Sequence, residues 1–309
     1  MAILRADNMN SLFTYKTALS GLVFLASALL VAQDIQPRVY APAPTGLNLI
    51  TLGYGYSEGA VLFDKTIQID NAYANIHGFS AAYSRSTALF GKAGRFDVAV
   101  PLVTGNWEGE LLGEIQTTSR FGIGDPVLRY AYFISGAPAL SREEFAGFQP
   151  KTIVGVTIRM QIPLGEYDPN KLINLGSNRW VFSPQIGIWH VVGNFTFEAY
   201  TGIWLFTDNK EFLGSQVRTQ DPLFTFQLHV SYEFQGGIWI AVSSRQSLGG
   251  AVAIDDGYRF VPESNNRVGV SLSIPIRPRY YLKLIATTGV SATIGNDYNT
   301  LGIAWQAVF

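Results

Sequence analysis

Polar and apolar residues alternate with period two along long stretches of this chain. From Phe224 every second residue is apolar, through Phe226, Leu228, Val230, Tyr232 and Phe234, and between them stand Thr225, Gln227, His229, Ser231 and Glu233. A strand sends successive side chains to opposite faces, so this segment has one greasy side and one wet side. The pattern recurs as Thr152, Val154, Val156, Ile158, Met160 and Ile162 opposite Gly155, Thr157, Arg159 and Gln161. It recurs again in Val268, Val270, Leu272, Ile274 and Ile276 opposite Arg267, Gly269, Ser271 and Ser273, and in Leu301, Ile303, Trp305, Ala307 and Phe309. A soluble sandwich also alternates. Here the apolar sides run without a charge for the length of the ~9–11 residues a tilted strand needs to cross a bilayer. The other sides carry Gly, Ser, Thr, Gln and occasional charges, as a wet interior would.

Strands are expected at 47–57, 72–84, 94–104, 124–135, 151–163, 180–192, 195–207, 222–235, 238–248, 265–276, 280–290 and 299–309. Twelve is an even number, which returns both ends of a closed antiparallel barrel to the same side. Closure is required because an open edge in lipid would leave backbone N–H and C=O groups unpaired. Loop lengths agree with this reading. Gly193-Asn194, Gln235-Gly236-Gly237 and Arg277-Pro278-Arg279 make tight turns at one end, and 58–71, 105–123, 164–179, 208–221 and 249–264 make long loops at the other. Short turns face the periplasm and long loops the exterior in such barrels. The segment 136–150 breaks the rule: it is long where a turn is expected, and Pro138–Phe145 predicts a short helix with Ser141 as its cap. Tyr54, Tyr56, Tyr130, Tyr132, Trp180, Trp189, Trp204, Trp239, Tyr281 and Trp305 lie near strand ends and are expected to form interfacial girdles.

Composition narrows the alternatives. The 309 residues are 48% hydrophobic, only 15% charged and carry a net charge of −1, against roughly 25% charged in an average soluble domain. That balance excludes a disordered polymer and a basic nucleic-acid binder. With no cysteine, a disulfide scaffold and a thiolate metal site are excluded as well. Helical spans fail too: the uncharged run 39–57 contains Pro42, Pro44, Gly46, Gly53 and Gly55, and 180–197 contains Pro184 and Gly193-Asn194. The uncharged run Thr17–Gln33 reads as the apolar region of a signal peptide, with cleavage expected after Ala32 or, second, Ala28, and with Met9 as an alternative start. The expected organisation is a signal peptide over 1–32, an N-terminal extension over 33–46 able to enter the lumen, and a transmembrane β-barrel over 47–309.

The wet faces indicate where chemistry would sit. Arg129, Arg159, Glu198, Gln227, His229, Glu233 and Arg267 are expected to line the lumen, with Arg245 and Lys283 beside them. An arginine on the lipid face near mid-membrane costs ~2–4 kcal/mol, which settles the parity of Arg159 and Arg267. Because both signs occur, strong charge selectivity is not expected. Tyr167, Asp168, Asn174, Asn178 and Arg179, in the loop 164–179, are expected to fold inward as a constriction or to form a rigid external cap. His229-Val230-Ser231 has the His-x-Ser spacing of an outer-membrane phospholipase. It lies on the wet face and has no orienting Asn at Ala241 or Ser243, so no catalytic residues are expected. Neither a metal site nor a cofactor is expected, since His77 and His190 have no partners at ligand spacing.

Several words along the chain resemble a known family. Phe121-Gly122-Ile123-Gly124-Asp125-Pro126, the block from Pro163-Leu164-Gly165-Glu166-Tyr167-Asp168-Pro169 to Asn178-Arg179-Trp180, Glu198-Ala199-Tyr200 through Phe206-Thr207-Asp208-Asn209, and Gln220-Asp221-Pro222-Leu223 are similar to the bacterial transporter-like family named for the meta-pathway of phenol degradation. The similarity runs from about Tyr40 to Phe309. It implies an outer-membrane β-barrel that passes small hydrophobic or aromatic compounds, and it transfers no functional residues. A non-conducting structural or surface-binding barrel is the alternative. Expected partners are outer-membrane lipid and lipopolysaccharide, a small hydrophobic or aromatic solute, and the barrel-assembly machinery through the terminal Phe309, with no nucleic acid. The final pentapeptide, Trp305–Phe309, lacks the arginine many members carry.

Overall fold

A computed structural model of the chain describes residues 35–62, 69–111, 113–255, 257 and 259–309; the expected signal peptide lies outside them. Among the described residues the strands are β1 (Asn48–Leu62), β2 (Ile69–Leu89), β3 (Lys92–Leu111), β4 (Glu114–Ile123), β5 (Val127–Ser135), β6 (Thr152–Gln161), β7 (Val181–Val192) and β8 (Phe195–Phe206). They continue as β9 (Asn209–Phe212), β10 (Gln216–Gln220), β11 (Leu223–Glu233), β12 (Trp239–Gly249), β13 (Val252–Ile254), β14 (Glu263–Arg277), β15 (Tyr280–Ser291) and β16 (Gly295–Val308). β4 and β5 are two halves of one stave: β3 pairs with β4 along Leu102–Leu111 and with β5 along Gly94–Ala99. Counting them as one gives twelve antiparallel staves, and the β1–β16 and β2–β3 pairings close the ring. β9, β10 and β13 form a separate three-stranded sheet over the outer mouth.

The exterior is what lipid requires. Phe224, Phe226, Leu228 and Val230 are exposed, while Thr225, His229 and Ser231, one residue out of phase, are buried. Leu52 on β1, Ile158 on β6 and Val242 on β12 are at least half exposed at 52%, 54% and 60%. A continuous apolar belt of this kind marks a membrane surface rather than a soluble one, and the closed ring leaves no unpaired edge within it. No helix among the described residues is long and apolar enough to cross a membrane.

Two expectations about the loops change. Segments 58–71 and 105–123 are largely strand: β1 runs to Leu62, β2 begins at Ile69, β3 reaches Leu111 and β4 begins at Glu114. Beyond the bilayer the outward side no longer has to be apolar, so the period-two signal fades although the ladder continues. The exceptional inner connection holds α1 (Arg142–Phe145), capped reciprocally by the Ser141 hydroxyl and the Glu144 carboxylate. It is long because it braces its neighbours: Thr45 N–H donates to Leu140 O (2.8 Å) and Ala93 N–H to Ala137 O (3.0 Å).

Part of the expected aromatic girdle faces inward instead. Trp180, Trp305 and Tyr54 are exposed on the outside, but Trp189 and Trp204 are buried in the interior and Trp239 borders the internal cavity. Their parity explains this. Trp204 lies an even number of residues from Glu198 and Tyr200 on β8, and Tyr281 shares the parity of the inward Lys283 on β15.

Residues 35–46 run inside the barrel and leave by the short-turn end. Tyr40 is fully buried, with its ring edge-on to Tyr200 (centroids 5.2 Å) and Phe133 (6.1 Å). It fits because Gly155 and Gly187 flank it: a Cβ at either position would stand 2.3 Å from the ring. At the exit, Gly46 N–H donates to Ser86 O (3.0 Å) and Ser86 N–H to Leu47 O (2.9 Å), which turns the chain into β1.

Candidate functional site: the luminal cavity and its two plugs

The candidate site is a cavity of about 530 Å³ within the barrel. Residues 35–39 form its floor. The Arg38 backbone N–H donates to both carboxylate oxygens of Glu198 (3.0 Å each), one of which also accepts from the Tyr200 hydroxyl. The Arg38 guanidinium pairs with Glu233 at 2.7 Å and lies 4.7 Å over the Trp239 ring. The Tyr40 hydroxyl accepts from Thr157 (3.0 Å) and Gln185 (3.2 Å), and Val39 N–H donates to the Tyr200 hydroxyl (3.3 Å).

Cross-strand register places the charges of the wall side by side. Asp97, Arg129 and Arg159 are direct neighbours on β3, β5 and β6, and Gln227, Arg245 and Arg267 on β11, β12 and β14. Asp97 accepts from Arg129 (2.8 Å) and pairs with Arg95 (3.2 Å). Arg159 and Arg245 lie 4.8 and 5.9 Å from the Trp204 ring centre. Arg267 donates to Tyr298 O (2.7 Å) and the Thr287 hydroxyl (3.3 Å).

Above the cavity the loop 162–180 folds into the mouth. Leu175 is buried with Val61, Ala74, Ile76, Val103, Trp107 and Tyr298, and Tyr298 also lines the cavity. The knot that holds the loop is Asp125, at the break between β4 and β5. Its carboxylate accepts from Gly165 N–H (2.9 Å), Ser177 N–H (2.8 Å), the Ser177 hydroxyl (2.6 Å) and Gln161 (2.9 Å). Two glycines let the strands of this knot approach: a Cβ on Gly165 would stand 2.7 Å from Asp125 N, and one on Gly176 2.5 Å from Gly165 O. Arg120 Nε fastens the far side by donating to Ile173 O (2.6 Å).

Arg129, Arg159, Gln227 and Arg267 all border the cavity, as do Arg245 and Lys283. Glu198 and His229 are buried deeper, His229 against the Ser243 hydroxyl (2.8 Å) and the Tyr200 ring (4.8 Å), and Glu233 stands at the exposed inner rim beside Arg38. Glu198 and Glu233 engage the floor segment, and Asp97 is the carboxylate among the described lining residues. Arg95 and Asp97 were not among the expected lining residues, although Arg95, Asp97, Ala99 and Pro101 alternate with Phe96, Val98, Val100 and Leu102 as cleanly as any strand in the chain. Trp204 and Trp239 were placed on the wrong side by the girdle argument.

The loop residues sit together in the outer plug. The Asn174 amide donates to Asp168 O and Lys171 O (3.0 Å each) and accepts from Asp168 N–H (2.8 Å). The Tyr167 hydroxyl donates to Glu211 O (3.0 Å) and accepts from Asn209 (2.8 Å), and Asn178 donates to Asn209 (3.0 Å). Arg179 is buried 4.4 Å over the Phe206 ring, and burial lowers its pKa to about 9. Asp168 is held below its ordinary pKa by the Asn170 N–H and by Lys171. Among the described residues no group of three or more His, Asp or Glu side chains is placed to hold a metal ion.

One solved structure shares this architecture, and others are more distantly similar. A crystal structure of an outer membrane channel from Pseudomonas putida F1 superposes with a TM-score of 0.74 at 18% identity, covering 89% of this chain and 100% of that one. The beta domain of the Bordetella autotransporter BrkA gives 0.49 at 10% identity over 85% of this chain and 100% of that one, and the KdgM porin 0.43 at 8% over 84% and 99%. The match to the Pseudomonas channel and the closed ring of twelve staves show the fold of a bacterial outer-membrane β-barrel. No curated protein matches the chain. The family described as "Putative MetA-pathway of phenol degradation" matches residues 64–269, two thirds of the sequence, and the chain belongs to that family.

Proposed function

We propose that this protein is an outer-membrane channel for passive passage of small hydrophobic or aromatic molecules, closed at rest by residues 35–40 below and by the loop 162–180 above. The observation that carries this reading is a preformed cavity of about 530 Å³, with the indoles of Trp204 and Trp239 in its wall, between two plugs of different construction. Ligand cavities of ~300–1,000 Å³ lined by aromatic groups and a few polar ones are the usual form of a small-molecule site. A lumen filled only for bracing would leave no such space. The family and the barrel architecture agree with transport without naming the solute. In this reading Phe309, exposed at the rim beside Asn48, is the residue the assembly machinery reads.

The test is conductance of protein purified from outer membranes and inserted in planar bilayers, with benzoate and phenol added to either side. Stepwise openings that aromatic solutes block are expected. A barrel that inserts and stays silent, in the natural chain and also with Ile35–Tyr40 removed, would overturn the channel in favour of a structural or surface-binding barrel.

A further inference from the structure

The slot that holds Tyr40 belongs to the wall of the barrel. Cross-strand register aligns Phe133 on β5, Gly155 on β6, Gly187 on β7 and Tyr200 on β8 in one row. Two neighbouring glycines leave the inner face bare between two aromatic rings, and a glycine inside a strand often marks a place where a ligand or another chain comes close to the backbone. The next row towards the cavity is Ala131, Thr157, Gln185 and Gly202, in register across the same four staves. In that row small residues stand at the sides and two hydrogen-bonding groups in the middle. No position of the two rows carries a charge, which suits a neutral guest.

Tyr40 shows what such a slot accepts. Its ring lies in the glycine row, fully buried and edge-on to Tyr200 and Phe133. Its hydroxyl accepts from Thr157 (3.0 Å) and Gln185 (3.2 Å) in the row above. Thr157 and Gln185 also border the cavity, so the polar end of the slot opens to the space a solute would reach. A brace needs only bulk, and side chains at 155 and 187 would supply it from the wall itself. The slot instead meets each part of a phenol separately, the ring with aromatic neighbours and the oxygen with two donors.

We propose that this slot is a binding site for single-ring phenols, filled at rest by the chain's own Tyr40, and that a phenol opens the floor by taking the place of that side chain. This deepens the channel reading; the opening rests on that reading, whereas the binding does not. A tethered group competes at an effective concentration on the order of millimolar. Free phenols therefore act on the natural chain at millimolar levels and fill the slot at lower ones once Tyr40 is gone.

The probe is p-cresol, which is the tyrosine side chain as a free molecule. Calorimetric titration of Tyr40→Ala in detergent should show one saturable site. Toluene, which lacks the hydroxyl, and 4-methylcyclohexanol, which lacks the aromatic ring, should each bind at least fivefold more weakly. Adding Thr157→Val should weaken p-cresol at least threefold and leave toluene unchanged, and adding Gly187→Val should abolish the site. If the Gly187→Val protein fails to show the heat-modifiable mobility of a folded barrel, Gly187→Ala takes its place. The natural chain should bind p-cresol at least tenfold more weakly than Tyr40→Ala, because its own side chain competes. In planar bilayers p-cresol should make openings of the natural chain severalfold more frequent, even as solute blocks within each opening. Tyr40→Phe should respond at lower concentration, and Tyr40→Ala should gain no openings. Equal affinity for the three probes would overturn the phenol site, and equal affinity of the natural chain and Tyr40→Ala would overturn the displacement. The two readings fail separately. A silent barrel whose Tyr40→Ala form binds p-cresol leaves the site and removes the channel, whereas an open channel whose Tyr40→Ala form binds none leaves the channel and removes the site.

Discussion

The two plugs close the same barrel by different means. The floor is a single strand of chain held by side chains: Tyr40 occupies a slot made by Gly155 and Gly187, and Glu198 grips the Arg38 backbone. The outer plug is a loop fixed at both ends and held mainly through its backbone, where Asp125 collects Gly165 and Ser177 N–H groups and Arg120 takes the Ile173 carbonyl. Burial of the Tyr40 ring, the Glu198 grip on the Arg38 backbone and the Arg38–Glu233 pair carry the floor, whereas four donors on one carboxylate carry the roof. A single segment threaded through the lumen can leave as a unit. A loop tied to the wall at both ends gives way only when its knot is cut.

Breaking the floor should have the largest effect. Tyr40→Ala removes a fully buried ring, a change that costs ~3–5 kcal/mol in packed interiors, and should raise channel open probability by well over tenfold in planar bilayers; deletion of Ile35–Tyr40 should do at least as much. No change in either would show that the roof alone closes the barrel. Asp125→Ala should come next. It leaves four donors without their acceptor, at ~1–3 kcal/mol for each that water does not reach, and should loosen the loop enough for trypsin to cut after the already exposed Lys171 on intact cells. Combining Asp125→Ala with Tyr40→Ala sharpens the comparison: independent plugs add within ~0.5 kcal/mol, and a larger coupling would mean that the cavity transmits between them. Removing 167–174 should have a smaller effect than Asp125→Ala, because Leu175 and Ser177 keep their places; unchanged permeation would end the idea that this part of the loop gates.

The smallest effect is a dependence on pH. The Asp168 carboxylate is held below its usual pKa chiefly by the Asn170 N–H. Its contribution to loop order is therefore complete above the ordinary aspartate range and is lost as pH falls through the lowered value. Openings should become slightly more frequent in that acid window, and Asp168→Asn should show the same frequency at every pH. An acid response that survives Asp168→Asn would assign it elsewhere.

The resemblance of words such as Gly-Ile-Gly-Asp-Pro and Gly-Glu-Tyr-Asp-Pro was legible in the chain, but the reason for them was not. Only in three dimensions do Asp125, Gly165 and Ser177 meet, across separations of 40 and 52 residues. The alternation Phe224–Phe234 fixed which side of β11 meets lipid, and the same rule applied to β8 and β12 would have turned Trp204 and Trp239 inward. Proximity to a strand end misled because the barrel has aromatic residues both in its girdle and against its luminal arginines.

Period two, turn residues and the scarcity of charge determined by themselves that this chain is a closed twelve-stave barrel, because lipid admits apolar side chains outside and tolerates no unpaired backbone. Parity alone also turned Arg159 and Arg267 inward. Which charges stand beside which was decided by the tertiary structure, since the register that sets Arg129 against Arg159 and Arg245 against Arg267 depends on how neighbouring staves slide past one another. The binary pattern survives a slide of two residues unchanged, so it cannot carry that information. The fold of residues 35–40 into the lumen was decided there as well, because the slot for Tyr40 exists only once β6 and β7 stand side by side.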